Sequence, residues 1–151
     1  MTDLSYNLKL RKLIAAWSDN SEIEANRFAD RYRDLYPREI SNAQLRGLEN
    51  VIRSSRQFID VKGFIQHQGE KAERARRSDV GDFWRGLDSD LSSLRDEAKR
   101  MLHQTGSEIS EVKLDRVHHQ LAEIYVQHLI AHMFYWTPFL EEKGKIKRHH
   151  R

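Results

Sequence analysis

Residues 107–136, SEISEVKLDRVHHQLAEIYVQHLIAHMFYW, decide the fold class. Leu114, Val117, Leu121, Ile124, His128, Ala131 and Tyr135 recur at alternating intervals of three and four, the spacing of one helix face. From Ile124 onward the other faces turn apolar as well, through Val126, Leu129, Ile130, Met133, Phe134 and Trp136. A helix that is apolar all round is buried all round. The segment is therefore expected to run from about Ser107 to Trp136 as a central helix, or as one covered by a partner chain. Pro138 is its expected stop.

The rest of the chain reads as more helices. Leu10, Leu13, Ile14 and Trp17 mark a first over residues 4 to 17, broken at Asp19-Asn20. Ser21 with Glu24 three residues on has the form of a capping box. It opens a second helix with Ile23, Phe28, Tyr32 and Leu35 inward, ended at Tyr36-Pro37 because the residue before proline avoids the α region. Ser41 and Gln44 repeat the capping pattern ahead of Leu45, Leu48 and Ile52, with Phe58-Ile59 as an extension. Asp60 is the expected cap of a segment carrying Val61, Phe64 and Ile65, with Gly69 as its stop. Asp79 is the expected cap of a helix carrying Phe83, Trp84, Leu87, Leu91, Leu94, Ala98 and Met101, ended at Thr105-Gly106. The expected fold is all-α: a single bundle of five or six helices over residues 1–140 with a long apolar C-terminal helix, followed by a basic tail over 141–151.

Composition agrees. The 151 residues contain 7 Gly and 2 Pro, too few turn formers for an all-β sandwich or barrel. A chain of this length buries about two-thirds of its extended surface, enough for a core without staples. Cysteine is absent, which excludes disulfides, thiolate metal sites and a cysteine nucleophile. No apolar run reaches about 18 residues and the N-terminus lacks a signal-peptide core, so a soluble cytoplasmic protein is expected.

Catalytic chemistry finds little footing. His128 and His132 are one turn apart, with His118 ten residues before the first, but Leu129 stands where a zincin needs Glu. No Glu lies three residues before any histidine, as a carboxylate-bundle metal site would require. These histidines read as packing residues whose ring nitrogens find partners in the bundle. There is no G-x-S-x-G elbow and no Gly-rich phosphate loop. Asp88 and Asp90 fall on different helix faces. No enzyme, metal or cofactor is expected.

Charge is more informative in its distribution than in its sum of +3. Arg46, Arg53 and Arg56 fall within about 80° on a helix turning 100° per residue, and Asn42 lies one turn before Arg46. Lys62 and a cluster of Lys71, Arg74, Arg76 and Arg77 could prolong the ridge along a phosphate backbone. The plainer alternative is a solvated face whose arginines pair with Glu49, Asp34 or Asp60. A second basic cluster, Lys143, Lys145, Lys147, Arg148 and Arg151, closes the chain. No motif for sequence-specific readout is present.

Three segments in order resemble the small α-helical subunit of type III CRISPR effector complexes. Glu39-Ile40-Ser41-Asn42-Ala43-Gln44-Leu45-Arg46 is similar to that family's Ser/Thr-x-x-Gln-Ile-Arg helix opening, with Gln44 and Arg46 at the matching positions. Phe64 to Lys71, FIQHQGEK, resembles the stretch that follows it. His128 to Tyr135, HLIAHMFY, resembles the closing Ala-rich helix with a late aromatic. The resemblance implies a non-catalytic bundle that stacks along the effector filament beside copies of itself and other subunits, steadying guide RNA with target RNA. The competing expectation is a protein-interaction module that docks a partner through the apolar end of the last helix.

Overall fold

The structure is a computed structural model that describes residues 3–106 and 108–149, with the side chains of 7–106 and 108–136. Five α-helices carry the chain: α1 (Asp3–Arg31), α2 (Asn42–Ser54), α3 (Phe58–Arg74), α4 (Ser78–Gln104) and α5 (Glu111–His149), with a 3₁₀ turn at Arg33–Leu35. No strand occurs among the described residues. α2, α3 and α4 run alternately up and down. Gln44 on α2 meets Gln68 on α3, while Lys62 and Glu73 on α3 meet Asp88 and Arg85 on α4. α5 touches each of the other four helices. It is antiparallel to α4, where Arg95 meets Glu111 and Asp90 meets Tyr125, and to α2, where Ile52 meets His119 and Arg46 meets Phe134. It is parallel to α1, where Ser18 meets His128 and Asp30 meets His132.

The main core joins all five helices around Phe28, Leu45, Leu48, Ile52, Ile65, Phe83, Trp84, Leu87 and Leu91. Its rings run in series from α1 to α3: Phe28 on Phe83 at 5.4 Å, Phe83 on Trp84 at 5.0 Å and Trp84 on Phe64 at 6.3 Å. A smaller cluster closes one end, where Ile14 meets Ala98, Met101, Leu102, Leu114, Val117 and Leu121. Removing a fully buried leucine such as Leu87 costs about 2–5 kcal/mol in such a setting.

Several helix boundaries differ from expectation, each for a local reason. The first two helices are one, because Asp19 and Asn20 cost only tenths of a kcal/mol in a helix, while Ile14, Ser21, Ala25, Phe28 and Ala29 bury one continuous face. Ser21 is thus an interior residue and not a cap, and Ile23 is 51% exposed. α2 stops at Ser54, so Phe58 and Ile59 open α3. Gly69 does not end α3, since it sits buried where Trp84 of α4 approaches. Asp79 lies in the first turn of α4, behind an N-cap at Arg77. α5 starts at Glu111 and runs through Pro138, which removes one ladder donor but is followed by good helix formers.

Burial of α5 is one-sided and not all round. Leu114, Val117 and Leu121 are buried, yet Ala131 and Tyr135 of the same expected stripe are exposed, Tyr135 at 79%. A seven-residue repeat drifts by about 20° per heptad on a straight helix, so the stripe rotates out of the core. Ala122, Tyr125, Val126, Leu129, Met133 and Trp136 take its place.

Candidate nucleic-acid interface

The α2–α3 hairpin carries most of the basic residues that the sequence singles out, and its turn chemistry fixes them. Ser41 caps α2 by a complete capping box: its Oγ accepts from the Gln44 N–H at 3.2 Å, and its N–H donates to Gln44 Oε1 at 3.0 Å. Gln44 Nε2 then donates to Gln68 Oε1 at 3.1 Å, tying α2 to α3. The Tyr36 hydroxyl donates to Asn42 Oδ1. Asn42 and Gln44 are therefore held by intramolecular partners.

Arg46 is exposed, with its guanidinium 6.0 Å from the centre of the Phe134 ring on α5. Arg53 lies two turns on along α2, in an exposed ion pair of 3.6 Å with Glu49, an arrangement worth little in water. Arg56 lies in the loop beyond α2, so it is not part of one helical ridge with the other two. It is exposed and has no partner among the described residues. Lys62 is drawn into the fold: its Nζ donates to Asp88 Oδ1 at 3.0 Å and to Ser92 Oγ at 3.1 Å.

The 71–77 cluster spans the end of α3 and the turn into α4. Arg77 N–H donates to Ala72 O at 2.9 Å and Arg76 N–H to Glu73 O at 3.0 Å, the two bonds of a Schellman motif. Arg76 holds the left-handed position at φ 59° that glycine usually takes. Lys71, Arg74, Arg76 and Arg77 are all exposed. Because Gln68 is pinned to Gln44, this cluster projects past the same end of α2 that carries Arg46. The basic tail has its backbone in α5 as far as His149; its side chains and residues 150–151 lie outside the described residues.

Arg31 and Arg33 escaped the sequence reading. Arg33 stands 5.3 Å from the Trp136 ring centre, and Arg31 5.7 Å from that of Phe28. Arg33 and Arg46 thus each stand over a ring of α5, Trp136 and Phe134. The available signal was three arginines within eight residues, Arg31, Arg33 and Arg38, ahead of a helix cap.

The histidines of α5 pin it to its neighbours. His118 Nε2 donates to Leu91 O on α4 and His119 Nε2 to Ile52 O on α2, both at 2.9 Å. His128 meets Ser18 Oγ at 3.1 Å and His132 meets Asp30 Oδ1 at 2.9 Å, both on α1. Burial pushes the His118 imidazolium down, against the Leu91 carbonyl, which favours it, and with the Arg95 cation, which opposes it. Tyr125, whose hydroxyl donates to Asp90 Oδ2 at 3.0 Å, is pushed up by burial and by that carboxylate. Among the described residues no group of three or more His, Asp or Glu side chains is placed to hold a metal ion.

A cleft of about 410 Å³ opens where α3, α4 and α5 meet, lined by Gln57, Phe58, Ile59, Lys62, Ser92, Arg95, Asp115 and His118. Arg95 crosses its wall, donating to Asp115 Oδ1 at 2.7 Å and to Glu111 Oε2 at 2.8 Å. No sequence motif announces this cleft, since its lining comes from three helices.

Comparison with protein-family models, with curated proteins and with solved structures gives no match for this chain. No helix among the described residues is long and apolar enough to cross a membrane.

Proposed function

We propose that this chain is a non-catalytic, RNA-binding small subunit of a CRISPR-associated ribonucleoprotein effector of type III character, serving antiviral defence in the cytoplasm. Its partners are guide RNA and target RNA, the other subunits of the complex, and further copies of itself. The observation that carries the reading is the set of exposed cations along the α2–α3 hairpin. Arg46, Arg56, Lys71, Arg74, Arg76 and Arg77 have no carboxylate partner among the described residues. Arg85, Arg95 and Arg100, by contrast, are each held by acidic neighbours. A free guanidinium is suited to phosphate oxygens, which it can grip in a planar fork. The resemblance of the Ser41–Arg46 opening and of two later segments supplies the effector context. Binding of single-stranded RNA by the purified chain, measured between 50 and 300 mM salt, tests the reading. Steep weakening with rising salt is the expected result, and affinity indifferent to salt would refute it.

A second reading has its own observation. Tyr135 and Ala131 are exposed on α5 beside Gln127 and Gln120, which suits docking of a protein partner through that helix. Such docking would change little with salt, so the same titration separates the two.

A further inference from the structure

We propose that the cleft between α3, α4 and α5 receives a nucleobase of the bound single-stranded RNA. The inference rests on the RNA-binding reading for the source of the base, and on the cleft's own chemistry for its kind.

The charges in the wall exclude the simplest guess, a phosphate. Lys62 is closed by Asp88 and Ser92, and Arg95 by Asp115 and Glu111. Asp88 and Glu111 stand outside the lining, but with them two cations meet three carboxylates, so an anion would have to break pairs already made. A wholly apolar ligand fits no better. Gln57, exposed at the N-cap of α3, lines the cleft and makes no side-chain cap bond to that helix. His118 lines it too, although only 4% exposed. Its Nε2 donates to Leu91 O, so Nδ1 of the neutral ring is a bare acceptor, without a partner among the described residues. An apolar occupant would leave the buried His118 acceptor unpaired.

An uncharged ligand with one flat apolar face and one edge of donors and acceptors satisfies both constraints. The apolar side is supplied by Ile59, 69% exposed at the rim, and by Phe58, whose ring lies 4.4 Å from that of His118. Nucleobases splayed from a single strand are bound in this manner, stacked on a ring and paired along an edge. The strand reaches the cleft by way of Arg56, exposed and one residue before Gln57. A backbone contact there would deliver a base to the opening. Because every base has a flat face, such stacking tolerates different sequences.

Two experiments test this. In the first, uncharged nucleosides are titrated into the purified chain while the Ile59 methyl and His118 ring resonances are followed. Saturable shifts at both are expected, with affinity reduced fivefold or more in Ile59→Ser, a change at an exposed position that leaves the bundle folded. The Arg46→Ala, Arg53→Ala, Arg56→Ala triple variant should bind nucleosides unchanged. Absence of saturable shifts, or equal affinity in Ile59→Ser, overturns the cleft as a base site even when RNA binding by the arginines stands. In the second, an RNA oligonucleotide is compared with an abasic strand of equal length and charge at one salt concentration. The base-bearing strand should bind about tenfold more tightly, within the range of one stacked base, and Ile59→Ser should abolish the difference. Equal affinity for the two strands overturns the proposal, because the base would not then come from the strand. Failure of the backbone reading shows separately, as absence of salt-sensitive binding to either strand.

Discussion

His118 couples the stability of the bundle to pH. Burial holds its pKa below the ordinary value of about 6.5, so the ring is neutral in the fold. It is faced by Arg95 from α4, by Asp115 and His119 on its own helix, and by Phe58 from α3. Below the unfolded-state pKa the unfolded chain binds the extra proton and the folded chain resists it. The contribution of His118 is therefore complete above about pH 6.5 and is lost as the pH falls below it. Urea midpoints measured at pH 7.5 and pH 5.5 should fall, and His118→Gln, which keeps a donor for Leu91 O but does not titrate, should fall less. An equal fall in the variant would show that this ring is not responsible. Helical spacing shows neither the burial that causes this shift nor the Leu91 carbonyl that opposes it, 27 residues away on another helix.

At the scale of elements, glycines that look alike in sequence differ in what surrounds them. A Cβ at Gly63 would meet nothing within 4 Å, so Gly63→Ala should stabilise the chain by roughly 0.5–1 kcal/mol through the entropy of the unfolded state. A Cβ at Gly86 would stand 3.0 Å from Cε2 of Phe28, itself packed against Tyr32 and Phe83 and unable to give way. Gly86→Ala should cost about 1–3 kcal/mol, as overpacking does. Thermal unfolding of the two variants checks the opposite signs. Arg76→Gly should raise stability by up to about 1 kcal/mol, since it relieves a left-handed residue, while weakening RNA binding by the loss of one cation. The same contrast explains how much of the fold was legible. Periodicity placed Leu45, Leu48 and Ile52 inward, and the box at Ser41 and Gln44 formed as read. Both are local, and local signals survive folding. The join across Asp19-Asn20, the passage of α3 through Gly69 and the turning of Tyr135 to the surface were decided by packing between helices. Of the basic residues, Arg56 is exposed in the loop beyond α2, whereas exposure at Arg46 and Arg53 follows from their place beside the core stripe of that helix. The capture of Lys62 by Asp88 does not, because a partner 26 residues away is invisible to helical spacing.

For the whole molecule, the proposed RNA binding turns on how many phosphates one copy can neutralise. The hairpin offers cations at Arg46, Arg53 and Arg56, with Lys71, Arg74, Arg76 and Arg77 at the end of α3 and in the turn beyond it, and one cleft large enough for a single base. That differs from a single-strand binding domain that stacks several bases in a row, so affinity of one copy must be modest and salt-sensitive. Each phosphate contact to a single strand contributes about 0.7 to the slope of log affinity against log salt. Replacing Arg46, Arg53 and Arg56 together by Ala should therefore flatten that slope by about 2 if all three touch phosphate. Arg53, already beside Glu49, is the one whose share would fall short. The loss should be similar for unrelated RNA sequences, and circular dichroism should be unchanged, because none of the three arginines is part of the core. Copies held side by side on one strand would convert each later contact into an intramolecular one and raise avidity without new interactions. Binding should accordingly strengthen with oligonucleotide length more steeply than site number alone provides. A triple variant that binds every RNA as tightly as the parent at every salt concentration would make these three arginines a solvated face.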